Sequence, residues 1–306
     1  MGSRLPEVGL LFVVVVWAST FVLTKQAFDE ISPLAFAFVR FIGITLLALL
    51  VLAVSVSGGK AQWQIRRTDV PRFALVGVCG YTLYQLGFVL GLERTSPFSS
   101  ALLIGTVPLF TIVVLTLAGE RQPLQAWLGL GVAFVGTAVF LLDKLAAPGS
   151  LVGDVLSLGS AISFALYGVF NRPLVKRYPT ATYTAYTIIA GAIPLVAVSL
   201  PAAAAQNWAA VSLGGWIVVA YMIVLPVYVA YMVWNWGIAR RGAAAASSFT
   251  LLVPLVSGVL SVMMFGEAFD VAKLVGAGLV LLGLVALQRR TAQGLQEAPT
   301  MEPESL

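Results

Sequence analysis

Apolar residues run along this chain in blocks of about twenty, separated by short gaps where Gly, Asp, Glu, Lys and Arg collect. Wound as a helix at 1.5 Å per residue, such a block crosses ~30 Å of hydrocarbon. The blocks cover 8–27, 33–56, 71–92, 97–118, 124–142, 152–171, 181–201, 213–237, 243–265 and 271–288. The pattern therefore predicts an all-α polytopic membrane protein with ten transmembrane helices. Pro33, Pro71 and Pro97 stand at block starts, where a missing N–H costs a helix nothing. The first block is long, contains Trp17 and lacks a small-residue cleavage site, so it reads as a span and not as a cleaved leader. The polar tail 291–306 is expected to be disordered.

Composition narrows the chemistry. The 306 residues are 59% apolar and 10% charged, far from the roughly one-quarter charged content of soluble domains, so the solvent of this chain is lipid. It has no histidine and a single cysteine, Cys79, which leaves no His-based triad, no intrachain disulfide and little basis for a metal site. An intramembrane enzyme would need a mid-span Asp pair, a Ser–His pair or metal ligands, and the sequence offers none of these. No cofactor, metal or enzymatic activity is expected, and no Walker-type phosphate loop is present. The net charge of +5 comes from residues scattered among loops, which argues for topology signals and against a nucleic-acid partner. With the N-terminus inside, 13 Lys and Arg fall in inner loops and three in outer ones, which predicts that both termini are cytoplasmic.

The chain also aligns with itself. A shift of 146 or 147 residues pairs Glu7 with Asp154, Pro33 with Pro179, Gly91 with Gly237, Pro108 with Pro254, Gly129 with Gly276 and Gly136 with Gly283. It pairs Gly119-Glu120 with Gly266-Glu267 as well. The expected units are 1–146 and 147–290, five helices each, followed by the tail. Five is odd, so the second copy must enter the membrane from the opposite side. Inverted repeats of this kind recur in secondary transporters.

Trp17-Ala-Ser-Thr-Phe, the spacing from Ser32-Pro33 to Arg40-Phe41, and the run from Thr95-Ser96 through Pro108 to Gly119-Glu120-Arg121 resemble the EamA family of the drug/metabolite transporter superfamily. The second half repeats the pattern in Pro254, Gly266-Glu267 and Gly276, Gly278 and Gly283, so the resemblance covers nearly the whole chain. It implies an exporter or facilitator of small solutes in a bacterial inner membrane, and the likeness to the aromatic amino-acid exporter subgroup implies amino acids as the first guess. Other metabolites or drugs, and a channel or scaffold, remain alternatives. Arg40 is not repeated in the second half, where Tyr186 takes its place.

Candidate solute contacts follow from polar aromatics inside spans. Tyr81, Tyr84, Gln85 and Phe88 fall on one helical stripe, and Tyr228, Tyr231 and Asn235 form its counterpart. Trp17, near mid-span, and Tyr167 complete the set. Such a stripe can wall a cavity, offering ring faces and hydrogen bonds to an amphipathic solute, or it can pack helices together. Arg40, seven residues inside its span, can hold a substrate carboxylate, snorkel to the surface, or pair with Asp29 or Glu30. Lys25 is near enough to a helix end to snorkel. Pro108 and Pro254 occupy equivalent helices and either kink them for gating or serve packing. No Asp or Glu lies in the middle third of a span, which favours a facilitator over a proton- or sodium-coupled carrier.

Overall fold

The computed structural model describes residues 5–142, 148–241 and 249–296. Among them the chain is helical throughout, with no strand. The long helices are α1 (Leu5–Ala27), α2 (Pro33–Ser57), α3 (Arg67–Arg94), α4 (Pro97–Leu117) and α5 (Leu124–Leu142). They continue with α6 (Pro148–Phe170), α7 (Thr180–Ala205), α8 (213–241), α9 (Leu252–Phe265) and α10 (Val271–Gln296). By length and hydropathy the first eight can each cross a membrane, whereas α9 and the apolar part of α10 are shorter. The start of the span expected at 243–265 lies outside the described residues. Helix α10 continues to Gln296, into the segment expected to be a disordered tail, and 297–306 are outside the described residues.

Large apolar side chains point outward in stripes. Leu46, Leu50 and Val54 on α2 are four residues apart and exposed, as are Leu213 and Ile217 on α8. In water such faces would be untenable; in hydrocarbon they are ordinary surface. The exposed Trp63, Trp127 and Trp216 sit near helix ends, where an amphipathic ring suits the lipid–water interface.

Close contacts run between the two halves. Helix α5 packs antiparallel to α10: a Cβ on Gly136 would meet Gly276 O and Val280 N, and one on Gly283 would meet Gly129 O. Helix α3 packs antiparallel to α6 through Gly91 against Gly153 and Gly87 against Ser160. Helix α2 lies on α7 through Phe41, Ile44, Ala48 and Leu52 against Ala185, Ile188, Ala192 and Leu195. Helix α1 lies on α8, with Val13 and Val16 against Ala230. Since lipid tails are as apolar as leucine, helix association in a membrane rests on packing at such small residues. Gly131 and Gly278, on the same two helices, have open space around them.

Three helices are irregular. Helices α3 and α8 each contain a π-helical turn, Val78–Leu83 and Leu225–Val229, at positions one repeat apart. Helix α4 breaks at Gly105–Thr106, and Pro108 enters the first turn of its second half. Leu251, just ahead of α9, is the equivalent interruption, and Pro254 is buried in the turn that follows. The two breaks adjoin, because a methyl on Gly105 would stand 3.5 Å from Pro254 Cγ.

Gly276 faces the backbone of Phe140 at 2.6–2.7 Å from where its Cβ would be. Gly276→Leu should therefore destabilise the protein by roughly 1–3 kcal/mol, the usual cost of overpacking, while Gly278→Leu leaves stability unchanged. Thermal unfolding in detergent checks the pair; equal melting points would contradict the packing described.

Candidate solute-binding site

The π turn in α3 widens the helix locally, a distortion frequent at functional sites. Around it the expected stripe joins side chains of three other helices. Phe21 of α1 meets Phe88 edge-on at 5.6 Å, and Phe88 stacks with Tyr84 at 6.4 Å. Tyr84 lies 5.1 Å from Phe164 of α6, which stacks on Tyr167 at 5.2 Å. Tyr167 meets Tyr81 edge-on at 5.8 Å, and Tyr81 meets Phe41 of α2 at 6.3 Å. The result is one continuous chain of rings through α1, α3, α6 and α2. Gly80 makes it possible, since any Cβ there would overlap the Tyr167 ring. The Tyr167 hydroxyl is 2.7 Å from that of Tyr183 on α7.

Arg40 projects beside this chain. Its Nη1 donates to Gln85 Oε1 over 3.4 Å, a long contact, and its Nε is solvent-inaccessible without a hydrogen-bond partner. It forms no ion pair among the described residues, so neither Asp29 nor Glu30 neutralises it. Gln85 is 2% exposed, and its Nε2 is likewise buried without a partner. Two unsatisfied donors therefore belong to side chains in contact, an arrangement that normally costs free energy unless an acceptor arrives.

The other expected residues are placed differently. Trp17 packs on Trp234 at 5.2 Å and donates its Nε1–H to the carbonyl of Pro226, in the π turn of α8, at 3.3 Å. Tyr228 lies in the same turn, half-buried, with its hydroxyl enclosed and without a partner. Its neighbour Val227 joins the cluster around Phe41, which links the two π turns through α2. The side chains of Tyr231 and Asn235 are outside the described residues. Two apolar grooves of about 310 and 450 Å³ open on the perimeter, one by Phe38, Leu200 and Trp216 and one by Val8, Phe12 and Trp236. None of the expected solute contacts lines either groove.

Polar ties close both ends of the bundle, and the sequence reading missed most of them. At the end opposite the N-terminus, Lys25 does not snorkel: its ammonium donates to the carbonyls of Leu92, Glu93 and Thr95, capping α3. Thr95 donates to buried Asp154 at 2.5 Å, and Ser96 to Glu267 at 2.5 Å. Lys273, expected in an outer loop, is 6% exposed, pairs with Glu267 and lies over the Phe269 ring. Glu30 accepts from Ser212 N–H and Oγ–H at 2.6 and 2.8 Å. At the other end Asp69 accepts from Arg177 at 2.5 Å and Tyr178 at 2.7 Å, and Glu120 pairs with Arg172. Repeat register could have flagged Glu267, the mate of Glu120, but its burial depends on tertiary packing.

The comparisons with known proteins follow the same division into halves. The EamA-like transporter family matches at residues 5–142 and again at 151–288, two copies 146 residues apart. The chain belongs to the EamA-like transporter family. Among its relatives, the uncharacterized transporter YyaM of Bacillus subtilis is 30% identical over 286 residues, covering 92% of this chain and 91% of that protein. A protein of Streptantibioticus cattleyicolor named as a probable terminal-alkyne amino-acid exporter is 27% identical over 295 residues, covering 95% and 96%. A solved crystal structure at 19% identity superposes with a TM-score of 0.60 over 95% of this chain and all of that one, so the EamA chain shares its fold. It is a multi-pass membrane transporter.

Two predictions test the end ties. Lys25→Met leaves three carbonyls at the end of α3 without their charged donor and should cost roughly 2 kcal/mol of stability, read by thermal unfolding. The Ser212 donors, its N–H first, hold the Glu30 carboxyl below the ordinary 4.5. A depressed folded-state pKa means that the tie is fully present above 4.5 and is lost only as pH falls through the lower folded value. Hydrogen-exchange protection at residues 206–216 should therefore persist as pH drops through 4.5 and decline at lower pH; loss at or above 4.5 would contradict it.

Proposed function

We propose that this EamA-family transporter exports, or passively facilitates, amino acids or related small metabolites across a bacterial inner membrane, with aromatic amino acids first. In this reading all ten helices cross the membrane as two inverted five-helix repeats, both termini are cytoplasmic, and the halves exchange conformations to give alternating access. The observation that carries the substrate class is the ring chain from Phe21 to Phe41 running past the unpaired donors of Arg40 and Gln85. Rings suit an aromatic side chain, and a guanidinium suits a carboxylate. The amino-acid exporter among the relatives supports the same class. The antiparallel packing of α5 on α10 supports inversion, since equivalent helices related by an in-plane two-fold axis run in opposite directions.

Trp17, Tyr81, Tyr84, Gln85, Tyr167, Tyr228 and Tyr231 are the proposed solute contacts, Arg40 the carboxylate partner, and Pro108 and Pro254 the gating kinks. The π turns lend themselves to motion, because their hydrogen bonds can revert to α-helical ones with a shift of one residue.

Purified protein in liposomes should take up labelled tryptophan and phenylalanine saturably and faster than alanine, with no response to an imposed pH gradient. Alanine at Tyr81, Tyr84 or Tyr167 should lower the rate about tenfold or more without changing the melting point, on the scale of one lost positioning contact. A strong pH-gradient response would defeat the facilitator reading, and normal transport by alanine variants at all seven proposed contacts would defeat the site.

A further inference from the structure

Arg40 stands about 10 Å along α2 from Pro33, at 1.5 Å per residue, where an uncompensated cation is costly in hydrocarbon. The described carboxylates are at helix ends, in loops or already held elsewhere: Asp69 with Arg177, Glu93 with Arg94, Glu120 with Arg172, Glu267 with Lys273, Glu30 on Ser212, and Asp154, six residues inside α6, on Thr95 at the end of α3. Glu7 is in the first turn of α1, Asp29 in the loop after it, and Asp270 on the first turn of α10. The aromatic chain thus carries one fixed positive charge and, among the described residues, no carboxylate beside it. The partnerless Arg40 Nε and the partnerless Nε2 of a nearly fully buried Gln85 are two donors on side chains already in contact. A carboxylate can satisfy both.

Charge balance then discriminates among carboxylate solutes. An aromatic acid without an amino group neutralises Arg40 and enters the occluded site as half of a neutral pair. An amino acid brings the same carboxylate and also an ammonium, for which the site offers ring faces but no anion; a cation–π contact recovers only part of that ammonium's desolvation cost.

We infer that the site prefers aromatic monocarboxylates, carried as anions, over the zwitterionic amino acids of the same shape, and that transport moves their charge across the membrane. This rests on the solute site proposed above and moves its preferred solute from amino acids to related aromatic carboxylates. It also supplies a driving force that needs no proton-relay carboxylate: an inside-negative membrane potential expels an anion by acting on the solute itself.

Phenyllactate, phenylalanine and phenethylamine make the test, since the first two differ at the α-substituent and the third lacks the carboxylate. Uptake into proteoliposomes is measured at neutral pH against protein-free liposomes, with potassium and valinomycin setting the interior positive or negative. Phenyllactate uptake should exceed phenylalanine uptake at least tenfold, and an interior-positive potential should accelerate it several-fold. Arg40→Gln should abolish phenyllactate uptake, and with it the preference over phenylalanine. Gln85→Glu, which gives Arg40 an internal partner and keeps the fold, should abolish phenyllactate uptake and raise the melting point or leave it unchanged. Phenylalanine carried as fast as phenyllactate, or phenyllactate uptake indifferent to potential, overturns the inference and leaves the amino-acid reading standing. Faster uptake of phenethylamine overturns the inference and the role of Arg40. If none of the three is carried, the function proposed above falls together with it.

Discussion

Helices in hydrocarbon gain nothing by hiding apolar side chains from their surroundings, so what holds this bundle is how closely its backbones approach. The approach is made by glycines, and the closest contacts join one half of the chain to the other: Gly136 and Gly276, Gly283 and Gly129, Gly91 and Gly153, Gly77 and Gly191. Neither half could keep these contacts alone. The two family-sized segments therefore form one cooperative body, and the ring chain around Tyr81 depends on it, because Tyr167 reaches Tyr81 only where Gly80 lets α6 come close.

Polar groups follow a complementary rule. Where a charge enters the membrane-facing part of the chain it is paired or hydrogen-bonded at a helix end, as Lys273 is by Glu267 and Lys25 is by three carbonyls. Such ties need no water, and those of Thr95 to Asp154 and Ser96 to Glu267 join the ends across the two halves. Arg40 departs from the rule. Its Nε, the amide nitrogen of Gln85 and the hydroxyl of Tyr228 are all enclosed without partners, and all three lie on the helices that carry or flank the π turns. Gln85 closely follows one π turn and Tyr228 lies in the other, so two of these three groups stand where the helices are least regular.

Eight of the spans and the duplication were legible in the sequence because each depends on local composition or on self-alignment. The stripe of Tyr81, Tyr84, Gln85 and Phe88 was legible for the same reason, as helical spacing. What escaped was set by contacts across large separations. Nothing in Val78–Leu83 or Leu225–Val229 announces a wider turn beyond Pro226. Glu267 and Lys273 look like loop charges until the end of α9 folds back onto Ser96 and Phe98. Trp17, placed by depth alone, proved to be occupied with the Pro226 carbonyl in this conformation.

Tyr81 and Tyr84 correspond to Tyr228 and Tyr231 at a shift of 147, yet Gln85 corresponds to Met232 and Arg40 to Tyr186 at 146. Two identical half-length chains paired about an axis would have to place a second guanidinium where Tyr186 stands, at the other end of the bundle, its hydroxyl on the Trp63 carbonyl and its ring beside Phe73. Joining the halves into a single polypeptide removes that obligation. Each copy is then free to lose what the other retains, and a site built from a doubled framework can carry an odd number of charges.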